Sequence, residues 1–446
     1  MDSSEAYADI VGPWNGKVEI GATAVPIVLC IAHDDAGLTV LADLPQFGRG
    51  VVVYGNAAFA RGVLTFTSNS LGDYVGRLDG DHIAGAFAKG DNRYALTLAR
   101  GDAELAAPHR PQTPQPPFDY AIEDVFVDRA DAGCRLAGTL TRPFARPHAV
   151  ALLITGSGAM DRDETVFGHQ PFRVIADCLT RRGYAVLRLD DRGVGASTGD
   201  RTSLTLADET DDMAAAFDLL AHRADLRGAP IGLIGHSAGS GIARLLAARR
   251  DDVAFVVSLA GVGVAFDAAL ADRECRLIAQ REWSDTAGIE RHRAFTFAIY
   301  RELAERPDDV PLDAAQVDAI AQRFDAVKTA ASFFVPAWIE RCNTRWLRSL
   351  LRFDPVATAL RVRAPLLALN GERDTQVPAT SNLAALADAF AVAGNEDVTI
   401  VPLPGLNHLF QTCTTGEAYE YPQIDETFAP HALNAIVDWL DRRFAR

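Results

Sequence analysis

Apolar and polar residues follow two rhythms along this chain, and the switch between them divides it. Up to about residue 106 the apolar positions come in short alternating or β-rich runs. These are Lys17–Ile20, Val25–Ala32, Leu38–Leu41, Gly50–Val53, Leu64–Thr67, Asp73–Leu78, His82–Phe87 and Tyr94–Ala99. Gly, Asn and Asp turns separate them, as at Asp79-Gly80-Asp81 and Lys89-Gly90-Asp91-Asn92. A period of two broken by tight turns predicts a small antiparallel sandwich or barrel. No catalytic constellation stands out there. His33-Asp34-Asp35 reads as a polar hairpin tip rather than a metal set, and a binding or dimerising role stays open.

Pro108, Pro111, Pro114, Pro116 and Pro117 crowd the next stretch. Proline at that density denies both helix and ladder, so 107–119 is read as a semi-rigid linker between a β-rich domain at 1–106 and a second domain at 120–446.

From Tyr120 the rhythm changes. A leading hairpin, Tyr120–Val127 with Cys134–Thr141, precedes six near-continuous apolar runs: His148–Ile154, Tyr184–Leu189, Pro230–Ile234, Val253–Leu259, Pro365–Leu369 and Asp397–Val401. Helical patterns lie between most of them, at Pro171–Arg182, Leu206–His222, Ile242–Arg249 and Ser381–Val392, and another follows at His431–Phe444. Unbroken apolar strands alternating with amphipathic helices predict an α/β fold, a mostly parallel eight-stranded sheet covered by helices on both faces. Reactive groups then gather at the carboxyl ends of the strands. The alternation fails between Val262 and Asp354, a mainly helical segment rich in Arg, Glu and aromatics such as Trp283, Phe295, Tyr300, Phe333, Trp338 and Trp346. Its place in the chain lets it fold over the strand ends as a helical lid, with most of those aromatics forming its own small core.

Within Ile231–Ala248 a strand runs into Gly235-His236-Ser237-Ala238-Gly239 and a helix opening near Ser240. G-x-S-x-G between strand and helix is the setting of a serine nucleophile on a sharp turn, and side chains at Gly235 or Gly239 would collide with neighbouring backbone. A serine hydroxyl needs a positioned base held by a carboxylate, following it in the order acid, then histidine. His408, in the loop Pro404-Gly405-Leu406-Asn407-His408 after the last strand, is favoured as base over His431, which opens the final helix. Asp374, a short turn past the strand ending at Leu369, is favoured as acid over Glu372. Two N–H donors must receive the oxyanion. The Ala238 amide is one; the Ser157 amide in Thr155-Gly156-Ser157-Gly158 is the other, with Gly158 as alternative. Gly156 and Gly158 lack the third glycine of a dinucleotide loop. Asp161, Arg162, Asp163 and Glu164 follow, read chiefly as fixing that loop by ion pairing.

The bulk numbers narrow the field. A chain of 446 residues exceeds one ordinary core. With 48% hydrophobic and 23% charged residues it has the composition of a soluble globular protein, and a net charge of −16 argues against nucleic acid or an anionic membrane as partner. MDSSEAYADI lacks the layout of a secretion signal, and the longest apolar run, Val253–Phe266, is too short to span a bilayer. Six singly scattered cysteines read as reduced thiols of a cytoplasmic protein. No cofactor or metal is called for, and a homodimer is one of the oligomeric states left open.

The segments GHSAG, ITGSGAMDRDE, LDDRGVGAST, LNGERDTQVP and PGLNHLF resemble the α/β-hydrolase superfamily. More narrowly, they resemble bacterial EstD-type carboxylesterases, a group often labelled serine aminopeptidase-like. The likeness covers roughly 118–446. It implies an α/β-hydrolase fold, a Ser237–Asp374–His408 triad and hydrolysis of short-chain carboxylic esters. An aminopeptidase would need lid carboxylates, for which Glu282, Glu290, Glu302, Glu305 and Glu340 are available. An acyl-CoA thioesterase would need a basic rim, for which Arg273, Arg276, Arg281, Arg291 and Arg293 are available. A non-enzymatic binding protein on the same fold is the remaining alternative.

Overall fold

The computed structural model describes residues 7, 9–20, 23–34, 37–44, 49–68, 72–89, 92–101, 109–279, 286–324, 342–418 and 420–445. Asp35, Gly90, Asp91, Pro108, Arg281, Glu282, Trp283, Phe333, Trp338 and Glu340 lie outside them. Contacts divide the chain into two compact units. The first takes in Met1–Pro111, Val166–His169 and Glu417–Glu426; the second takes in Gln112–Thr165, Gln170–Gly416 and Thr427–Arg446.

Among the described residues the first unit contains eight strands: β1 (Gly12–Ile20), β2 (Thr23–Asp34), β3 (Gly37–Leu44), β4 (Arg49–Ala60), β5 (Val63–Ser68), β6 (Gly72–Asp79), β7 (His82–Lys89) and β8 (Asn92–Arg100). Each pairs antiparallel with the next, and β1 closes on β8 from Trp14 opposite Arg100 to Val18 opposite Leu96. Closure selects the barrel over the sandwich. Alternation sends one face inward: Leu64, Phe66 and Ser68 are the buried residues of β5. Tyr54, Phe66, Tyr74 and Phe87 stack at the centre, with Phe66 and Tyr74 centroids 4.7 Å apart. β1 starts at Gly12, ahead of the Lys17 expected from its apolar run, because Trp14 is fully buried and bonds its ring N–H to the Ile10 carbonyl at 2.8 Å.

The boundary falls at Pro111, inside the proline-rich stretch, and two excursions from the later chain belong with the barrel unit. Arg110 explains this: its guanidinium donates to the carbonyls of Phe167, Pro422 and Ile424. His169 adds a ring-nitrogen bond to the Tyr421 carbonyl at 2.9 Å.

The second unit is built on an eight-stranded sheet. Its strands are β9 (Ala121–Arg129), β10 (Cys134–Arg142), β11 (Val150–Ile154), β12 (Ala185–Leu189), β13 (Ile231–His236), β14 (Val256–Leu259), β15 (Leu366–Gly371) and β16 (Val398–Leu403). Their order is β16-β15-β14-β13-β11-β12-β10-β9. Pairing is parallel from β16 through to β12; β9 and β10 form the antiparallel hairpin at the edge. Every residue of β11 is buried, and alternate residues enter different cores: Val150, Leu152 and Ile154 one, Ala151 and Leu153 the other. The first core is closed by α2 (Leu206–His222), α3 (Ala238–Ala247) and α9 (Ala379–Ala393), the second by α1 (Pro171–Arg181) and α10 (Pro430–Phe444). Between β14 and β15 come α4 (Phe266–Ala279), α5 (Thr286–Glu305), α6 (Ala314–Arg323), α7 (Arg345–Leu351) and α8 (Pro355–Ala359). Phe295 and Tyr300 of α5 are buried there.

The chain leaves β11 for β12 on one side and returns to β13 on the other, so the direction of winding reverses between β11 and β13. Such a switch point opens a crevice at the carboxyl ends of the strands, where ligands of open α/β sheets bind.

Candidate active site

Ser237 stands at that crevice, between β13 and α3, with φ 53° and ψ −118°. A non-glycine residue held there is strained, and the surrounding backbone explains why it persists. The Ser237 amide donates to the Leu259 carbonyl at 2.8 Å. A Cβ on Gly235 would lie 2.2 Å from the Gly239 oxygen, and one on Gly239 would lie 2.3 Å from the Ile154 and Thr155 oxygens. This close approach starts α3 at Ala238, directly after the serine and ahead of the Ser240 start expected from sequence.

Asp374 and His408 come from the loops after β15 and β16, which are bonded neighbours. His408 Nδ1 is 2.7 Å from Asp374 Oδ2. Asp374 Oδ1 accepts from the amides of Gln376 and Val377, each at 2.8 Å, so both carboxylate oxygens are engaged. Asn407 shapes the His408 loop: its Oδ1 accepts from the amides of Leu409 and Gln411 at 3.0 Å. Glu372 and His431, the rival acid and base, are both exposed. Arg373 donates to the carbonyls of Cys413 and Thr414, not to Glu372.

Ser237 is partly exposed, and among the described residues no hydrogen bond joins its hydroxyl to His408. The two segments meet through His236, whose Nε2 is 3.0 Å from the His408 carbonyl oxygen and whose ring centroid is 4.8 Å from that of His408.

The loop after β11 faces the same turn. A Cβ on Gly156 would lie 3.3 Å from Ser237 Cβ. The Gly156 amide is bound by Glu164 Oε1 at 2.7 Å, while Ser157 and Gly158 are exposed. Charged residues brace this loop. Arg162 clasps Asp190 through its amide, Nε and Nη2, and Asp163 pairs with Arg188. Asp191 accepts from the Thr155 hydroxyl at 2.7 Å and the Met160 amide at 3.0 Å, and Arg201 holds the Gly158 carbonyl. A cavity of about 20 Å³ touches Gly156, Asp191, Arg201 and Glu209. Burial raises the Asp191 carboxyl to about 6, against the Thr155 bond, and the Glu209 carboxyl to about 7, against the bond from Trp346.

Sequence reasoning gave His236 no role, although a histidine inside a wholly buried strand end already demanded polar partners. Glu164 figured there as one of four charges read chiefly as fixing the loop and otherwise as touching the substrate.

The family model described as serine aminopeptidase, S33, matches residues 170–412. Among curated proteins, Esterase EstD of Thermotoga maritima is 26% identical over 326 residues, which cover 73% of this chain and 69% of that protein. Among solved structures, an esterase of Pyrococcus furiosus is similar at 16% identity and a TM-score of 0.46, covering 73% of this chain and 92% of that one. Est1E of Butyrivibrio proteoclasticus, solved with ferulic acid bound, is similar at 17% identity and a TM-score of 0.43, covering 72% and 100%.

Proposed function

The chain belongs to the S33 serine aminopeptidase family of hydrolases, and on that premise we propose that it cleaves small carboxylic esters through an acyl-enzyme on Ser237. His408, oriented through Nδ1 by Asp374, takes the Ser237 proton on Nε2 as the hydroxyl attacks the ester carbonyl. The amides of Ala238 and Ser157 receive the oxyanion, with Gly158 the alternative to Ser157. The imidazolium then protonates the departing alkoxide. Water, deprotonated by the same ring, releases the acid and restores the serine.

The buried Asp374–His408 pair carries this reading, because it puts an oriented imidazole at the same strand ends as a serine on a strained turn. Serine–histidine bonds are often long in empty sites and tighten with substrate, which accommodates an unbonded Ser237 hydroxyl. An ester is favoured over an amide because the relative at 26% identity is named an esterase. The helices between β14 and β15 act as a lid over the acyl and alcohol groups. No described helix is long and apolar enough to cross a membrane, and six cysteines scattered singly along the sequence accord with a cytoplasmic setting.

The test pairs p-nitrophenyl acetate hydrolysis with fluorophosphonate labelling. Wild type hydrolyses the ester and labels on Ser237, whereas Ser237→Ala does neither. An unlabelled wild type, or full turnover by Ser237→Ala, refutes the proposal. Faster turnover of an aminoacyl-p-nitroanilide overturns the ester preference.

A further inference from the structure

Under the serine turn lies a buried polar contact that no step above uses. Glu164 is 2% exposed and His236 6%. Glu164 Oε1 accepts from the Gly156 amide at 2.7 Å and stands 2.9 Å from His236 Nδ1. The other ring nitrogen, Nε2, is 3.0 Å from the His408 carbonyl oxygen. A carbonyl oxygen only accepts, so Nε2 carries a hydrogen; an ionised Glu164 only accepts, so Nδ1 carries one too. An imidazole protonated on both nitrogens is a cation. The competing neutral pair places the carboxyl proton on Oε1 and leaves a hydroxyl oxygen to receive the Gly156 N–H, a weaker acceptor for so short a bond.

We propose that His236 is a cationic positioning residue, an imidazolium shared between Glu164 and the His408 carbonyl that ties the oxyanion loop and the base loop to the nucleophile strand. The inference rests on the roles given above to Ser237 and His408. Turnover then needs His236 charged while His408 is neutral. The groups facing the His236 ring are Glu164 from the loop after β11, His408 from the loop after β16, and the Asp374 carboxylate from the loop after β15. Burial works to expel the proton, but the Glu164 charge and bond, the His408 carbonyl and Asp374 outweigh it and hold His236 above its ordinary value. Since its folded value is raised, the imidazolium persists at low pH and is lost as pH rises through that value. His236 therefore supplies an alkaline limb to kcat.

The direct test is long-range 1H–15N spectroscopy of the full-length, 15N-histidine-labelled protein, with the His236 signals assigned by their loss in His236→Asn. Both ring nitrogens protonated at pH 7.5 is the expected result; one bare nitrogen at that pH overturns the inference. The kinetic arm uses p-nitrophenyl acetate. Glu164→Gln keeps an acceptor for Gly156 but removes the charge, and shifts the alkaline limb of kcat toward acid by about one unit or more. His236→Asn keeps a donor for Glu164 but loses the one for the His408 carbonyl, and lowers kcat about 10- to 100-fold with KM nearly unchanged. If Ser237→Ala stays active, the nucleophile assignment fails. If Ser237→Ala is inactive while His236→Asn and Glu164→Gln keep the wild-type kcat and pH profile, this inference alone fails.

Discussion

Asp374 Oδ2 lies 2.7 Å from His408 Nδ1, with 0% of the Asp374 side chain and 6% of the His408 side chain exposed. The second carboxylate oxygen is held by two amides, so the aspartate cannot turn away from the imidazole without breaking both bonds. Asp374→Asn presents an N–H either to His408 Nδ1 or to those amides, and each choice sets donor against donor or imposes the wrong tautomer. The expected loss in kcat is about 10³- to 10⁴-fold with little change in KM. Steady-state kinetics on p-nitrophenyl acetate, with circular dichroism to verify folding, measure it. A loss below tenfold removes Asp374 from the orienting role.

Ser237→Ala and His408→Ala should each lower kcat by about three or more powers of ten, and the double variant should be no slower than the worse single. Groups acting as one unit are not additive. If the double variant loses the product of the two single effects, the two side chains act independently.

Gly235→Ala places a methyl 2.2 Å from the Gly239 oxygen and 2.6 Å from the Ser240 nitrogen, both backbone atoms that cannot swing aside. The expected cost is about 1–3 kcal/mol in urea unfolding. Gly241→Ala, inside α3, meets nothing nearer than Phe353 at 3.6 Å and is expected to be neutral or mildly stabilising. Equal effects at the two positions contradict the steric account of the turn.

Glu209 receives the Trp346 ring N–H at 2.8 Å, and burial raises its carboxyl from 4.5 to about 7. Between those values the folded protein binds more protons than the unfolded chain, so this group erodes stability as pH rises through the window, with the full penalty above about 7. Glu209→Gln keeps an acceptor for Trp346 and abolishes the penalty. Its melting temperature should match wild type near pH 4 and exceed it at pH 8. A gap that does not vary with pH rules out the carboxyl as its source.

Sequence reveals most where one local constraint decides the outcome. The serine turn is legible because only glycine fits at Gly235 and Gly239, and the sheet because strands covered on both faces, such as Val150–Ile154, are apolar throughout. Chain order after Ser237 pointed to Asp374 and His408, which the fold brings within bonding distance. Closure of the barrel was not legible, since alternation sets the inner face of each strand but not whether Trp14 finds Arg100. The grouping of 166–169 and 417–426 with the barrel unit escaped because Arg110 binds their carbonyls, which no side-chain pattern encodes. Glu164 and His236 are 72 positions apart and meet only because β11 lies beside β13.

β14 and β15 pair directly, Val256 with Leu366 through Leu259 with Leu369, although the entire helical insertion lies between them in the chain. The sheet therefore closes at that seam whatever the connecting segment contains. Lengthening or exchanging that segment alters the closure entropy only logarithmically, at about 0.6 kcal/mol per doubling. Under the lid role proposed for this segment, mutation rebuilds it generation after generation while the sheet beneath keeps its register, and substrate range becomes the most readily evolved property of this architecture.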